Sequence, residues 1–174
     1  MSLTQQTNIS DKGISLEELQ AQKSPTQFSG SASSVGDGNI VTFTESGQNG
    51  IVDSSSSIPL ADLGTGKIKL IVGSKEYFAT NNITFQIEAA QTGDMTLMLL
   101  KSQDVTPLTS TSNTLVFSAV QDVTFTYSSA NVLQIVSEPF VFVEETTGIF
   151  VYTLALKNQT GGTIGLTYFN ANLF

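Results

Sequence analysis

From residue 39 to the end of the chain, apolar side chains recur at every second position, and no stretch keeps helical spacing long enough for a crossover helix. This constrains the fold more than any other feature. Successive side chains of a strand point to opposite faces, so a period of two separates an apolar face from a polar one. Val41 and Phe43 alternate with Thr42 and Thr44; Ile83, Phe85 and Ile87 with Thr84, Gln86 and Glu88; Val123, Phe125 and Tyr127 with Thr124 and Thr126. Phe150, Tyr152, Leu154 and Leu156 make the longest run. In 94–101 both phases are largely apolar, so both faces of that strand are expected to be covered. Shorter runs hold Ile68, Leu70 and Val72, then Leu115 and Phe117, Leu133 and Ile135, Phe140 and Phe142, and lastly Ile164, Leu166 and Tyr168. Asn49-Gly50 predicts a tight turn leading into Ile51-Val52.

Roughly nine to eleven short strands separated by turn residues predict an all-β protein, an antiparallel β-sandwich or barrel, with the sandwich expected. A jelly roll of eight core strands is the expected form. An immunoglobulin-like Greek key has the same periodicity, although the Cys–Trp–Cys framework of the antibody type is absent.

The side chains that are missing narrow the chemistry. There is no His, Cys, Arg or Trp. That removes imidazole bases, thiolate nucleophiles, Cys/His metal cages and guanidinium forks for phosphate. Charged residues make up only 13% of the 174 residues, so most of the polarity is neutral hydroxyl and amide. The net charge of −8 with no Arg argues against gripping nucleic acid or an anionic membrane. No run is long enough to span a bilayer, and Met1–Ser10 lacks the basic and apolar regions of a secretory signal. The length fits one domain with its own core, and no cofactor is expected.

The first 38 residues read as an arm and linker ahead of a β domain at 39–174. Ser15 and Glu18 have capping-box spacing and Ile14 can staple onto Leu19, which predicts a short helix near 16–22. A helix this short needs a surface to lie on, so Ile14, Leu16 and Leu19 are candidate partner-binding residues. Ser29–Gly36 has the composition of a flexible linker, and the Ser54–Ser57 run followed by Pro59 reads as a loop. The other end is unusual. Thr163–Phe174 is strand-like to its last residue, whereas chain ends are usually polar and frayed. Leu173 and Phe174 are therefore expected to be buried, in the core or at a subunit contact, and are also candidates for partner binding.

Nothing in the sequence activates a nucleophile. None of the lysines lies in an S-x-x-K motif. Glu144 and Glu145 are adjacent, so a strand would send them to opposite faces and they would not flank one bond. Asp94 with Glu138 is a carboxylate pair that folding would have to assemble, and Asp37-Gly38-Asn39 falls short of a calcium-loop pattern. Asn8, Asn82 and Asn158 begin glycosylation sequons, read as coincidental without a secretory signal. Lys67 and Lys69 share a strand face and suit edge protection.

A polar arm, a Ser/Gly linker and one Cys-free β body resemble small bacteriophage or viral virion structural proteins of the single jelly-roll type: a capsid penton, a decoration protein or a spike or fibre head. The closing Gly165–Phe174 is similar to the apolar terminal strands of trimeric β-sandwich heads. The resemblance implies a non-enzymatic structural protein of the virion, made in the host cytoplasm. Its partners would be itself, as a trimer or pentamer, and a major capsid or other virion protein, with no nucleic acid and no membrane insertion. The arm is not basic, which favours protein over genome as its contact. The alternative is a carbohydrate- or receptor-binding β-sandwich module, with Tyr77 in Lys75–Ala79 as its candidate contact residue.

Overall fold

The alternating segments pair as strands, and every pairing among the described residues is antiparallel. The computed structural model describes residues 26–43, 49–53, 57–59, 68–80, 82–88, 93–105, 114–127, 131–136 and 140–174. The candidate helix near 16–22, with Ile14, Leu16 and Leu19, lies outside them.

The strands in chain order are β1 (Thr26–Val35), β2 (Ile40–Phe43), β3 (Asn49–Asp53), β4 (Ser57–Pro59), β5 (Ile68–Val72), β6 (Glu76–Ala79), β7 (Ile83–Ile87), β8 (Gly93–Ser102), β9 (Thr114–Tyr127), β10 (Gln134–Val136), β11 (Val141–Glu144), β12 (Gly148–Gln159) and β13 (Ile164–Leu173). The smaller sheet runs β1-β13-β7-β10. The β6–β11 pair extends it, because Thr80 bridges Leu173, and Phe174 and Ala79 exchange backbone hydrogen bonds of 2.9 and 3.2 Å. The larger sheet runs β3-β2-β12-β8-β9-β4, with β5 also paired to β12. β12 is its spine: Leu154 lies opposite Leu99 on one side, with Thr42 opposite Ala155 and Leu70 opposite Phe150 on the other.

The inner faces of the two sheets meet in one core. Phe28, Phe85 and Phe169 of the smaller sheet pack with Phe43, Leu97 and Leu154 of the larger. Phe43 and Phe169 stack across the gap, ring centroids 3.9 Å apart. Each such side chain contributes about 1.5–3 kcal/mol by leaving water. A second cluster covers the other face of the larger sheet, where Met98, Leu100, Val151 and Ala155 meet Ile58, Leu115 and Phe117. β8 and β12 are therefore buried on both faces, as the doubled apolar pattern of 94–101 predicts.

Several local expectations are corrected. Ser29–Gly36, read as linker, is mostly strand β1. Its inward residues are Phe28, Ala32 and Val35, spaced by irregularities at Gly30/Ala32 and Ala32/Val35, so the period of two is hidden. Asn49-Gly50 lies inside β3, with Asn49 opposite Phe43, so the β2–β3 connection is 44–48 and not a two-residue turn. Ser57–Pro59, expected as loop, pairs with β9. Residues 114–127 form one strand and not two. Tyr77, expected in a loop-like segment, is a half-buried residue of β6 opposite Val143.

Candidate functional face

β1, β7, β10 and β13 contain no charged residue at all. In a chain of net charge −8 this is a marked local departure. The strand registers set out what the outer face of this sheet presents. Ser29 lies opposite Asn170, Asn170 opposite Thr84, and Thr84 opposite Ile135; Gln86 lies opposite Tyr168. An irregularity between Leu166 and Tyr168 leaves both Thr167 and Tyr168 exposed. Bulges re-aim side chains in this way.

The β10–β11 edge of this face is apolar. Leu133 and Ile135 are 54% and 61% exposed, and Val141 and Val143 of β11 stand out at 43% and 38%. Phe142 and Glu144 alternate with those valines and turn inward. Natural edge strands usually carry charge, proline or a covering element, because bare edges invite pairing. Here the outward residues of β10 and β11 are aliphatic.

Behind β11 lies a buried polar tie between the sheets. Glu144 is 3% exposed. Its carboxylate receives the Lys101 ammonium at 2.6 Å, the Tyr152 hydroxyl at 3.1 Å and the Thr146 N–H at 2.8 Å. Lys101 also sits 4.0 Å above the Phe150 ring. Gly148, at φ +150°, passes so close that a Cβ would fall 2.9 Å from that ring. Burial pushes the Glu144 carboxyl up, but Lys101 and Thr146 outweigh it and hold it below its ordinary value. Burial and the Glu144 charge push Tyr152 well above its ordinary value. Donors already surround the carboxylate, so the cluster serves to join β11 to β8 and β12. Glu145 points the other way and pairs with Lys75 at 3.1 Å on the surface, as the strand period predicts.

Asn158 is a second polar anchor. Its amide donates to Val35 O and Gly162 O at 2.9 and 2.7 Å, and its Oδ1 accepts from the Thr160 N–H and hydroxyl. Asp37 accepts from the Gly161 N–H at 2.9 Å, so the β1–β2 and β12–β13 turns are pinned together. Buried and doubly bonded, the Asn158 amide is closed to glycosylation in the folded chain.

Leu173 is 1% exposed and belongs to the core of its own chain; Phe174 is half-buried against Ala79. Ile14, Leu16, Leu19, Lys67 and Glu138 lie outside the described residues. Asp94 accepts from the Thr126 hydroxyl at 2.8 Å. Among the described residues no three acids gather in a way that would hold a metal ion. Sequence reasoning missed Leu133, Ile135 and Tyr168 as surface residues. The available signal was four strands without a charge. No family model matches the chain, and no curated protein matches it.

Proposed function

We propose that this chain is a non-enzymatic structural protein of a virion, a capsid penton, decoration or spike component, which self-associates and is anchored to the shell by its N-terminal arm. The observation that carries the reading is that the four strands of the smaller sheet carry no charged residue, with Leu133, Ile135, Val141 and Val143 exposed along the β10–β11 edge. Interface cores are depleted in charge and enriched in apolar and aromatic residues, and this face has that composition. A second copy of the chain is the proposed occupant, because closed symmetric contacts between identical subunits are the commonest assembly of soluble proteins.

The pairing of the strands supports a jelly roll. β6 with β7, β10 with β11, and β2 with β5 each act as one interrupted strand, which leaves about eight principal strands once β3 and β4 are set aside as additions. In that numbering first pairs with eighth, second with seventh, third with sixth and fourth with fifth, and the eighth–third and seventh–fourth pairs complete the two sheets. That is one long antiparallel ribbon rolled on itself, the plan of a jelly roll. Viral capsid proteins and lectins both use this fold.

Light scattering on the full chain and on a form lacking residues 1–24 tests the reading. A trimer or pentamer that survives the deletion is expected, since every described strand begins after residue 25. A monomer from the full chain would contradict self-association.

A further inference from the structure

At the opposite side of the smaller sheet from β10, β1 and β13 part. They pair regularly from Thr26 opposite Leu173 to Gly30 opposite Phe169, then slip register at Gly30/Ala32 and again at Ala32/Val35. β13 slips against β7 at the same level, between Leu166 and Tyr168. The three irregularities open a depression of about 350 Å³ lined by Ser31, Ser33, Ser34, Glu88 and Thr167, with the buried Ala32 in its floor. This volume lies in the range of small-molecule sites, about 300–1,000 Å³.

The walls have a specific chemistry. Ser34 is held at φ 63°, a left-handed backbone that a residue with a Cβ rarely adopts and that clusters at ligand sites. The Glu88 N–H donates to Gly165 O at 2.7 Å, and the Glu88 Oε2 reaches to 3.5 Å from the place where a Gly165 Cβ would stand. The carboxylate thus lies over bare backbone at the mouth. Thr167 donates to Gln86 O at 3.1 Å. Hydroxyls both donate and accept, and a carboxylate accepts from two neighbouring hydroxyls. Neither strand brings a cation, and the chain is acidic overall, so an anionic ligand is disfavoured.

We infer that this depression binds a neutral saccharide, with Glu88 and the serines of the β1 irregularities, Ser33 and Ser34, gripping its hydroxyls. The site lies across the sheet from the self-contact edge and does not depend on it.

The test is saturation-transfer NMR on the full chain with the methyl glycosides of glucose, galactose, mannose and N-acetylglucosamine, with sialic acid alongside. At least one neutral glycoside is expected to bind, and sialic acid is not. Glu88→Gln should weaken binding about tenfold, as expected for loss of a charge-assisted hydrogen bond. The variant should keep the native circular dichroism and solution mass, so failure here is separable from failure of self-association. No transfer to any neutral glycoside at about 10 mM would overturn the inference, since that concentration corresponds to a binding energy of only about 2.7 kcal/mol. Binding that Glu88→Gln does not weaken, or equal binding of sialic acid, would overturn it too.

Discussion

Glu144 and Glu145 are neighbours in the chain and end in opposite environments. Glu145 meets Lys75 in water, where an ion pair contributes little. Glu144 meets Lys101 and Tyr152 under cover. Losing one partner of a covered pair costs more than the pair itself provides, because the remaining charge stays buried. Lys101→Met is therefore expected to destabilise the fold by about 3 kcal/mol, read as a lowered urea midpoint at neutral pH. The acid response follows from the same contact. The Glu144 carboxyl is held below its ordinary value of 4.5. Its contribution is complete above that value and is lost as pH falls through the lower folded value. Glu144→Gln should lose stability at pH 7 and show a flatter decline between pH 5 and 3. A thermal midpoint that falls equally steeply in both proteins would contradict the assignment. The opposite aims of the two carboxylates were legible from the strand period. Their partners were not, since Lys101 and Glu144 lie on strands that meet only after the sheets stack.

At the scale of elements, periodicity located most of the strands, because one buried face forces alternation. It failed where bulges break the count. β1 places Phe28, Ala32 and Val35 inward at spacings of four and three, among serines and glycines that mimic a linker. Phe28→Ala should cost about 3–5 kcal/mol in denaturant unfolding. A loss below about 0.5 kcal/mol, the usual size for a surface change, would return this segment to linker status. The β10 alternation misled in another way. Leu133 and Ile135 have the pattern of a half-buried strand, yet their apolar phase faces outward. Period two reports that a strand has two unlike faces; it does not say which one meets the core. The absence of charge from all four strands of this sheet is the better guide to what that face does.

At the scale of the molecule, the ribbon-like pairing accounts for the buried chain end. β13 pairs with β1 along most of its length, and its last residues reach Thr80 and Ala79, so Leu173 closes the core of its own subunit. Under the proposed function, the segment before Thr26 serves attachment. Removing residues 1–24 should leave the unfolding midpoint of the β body unchanged while abolishing capture by the virion shell in co-sedimentation. Equal capture of the truncated form would contradict anchoring. The central claim is that identical subunits meet through the aliphatic β10–β11 edge of the smaller sheet. Sedimentation velocity on the full chain beside its Ile135→Asp variant tests it most directly. The account predicts one closed oligomer for the natural sequence and a folded monomer for the variant, with circular dichroism unchanged. The same mass for both proteins would contradict it.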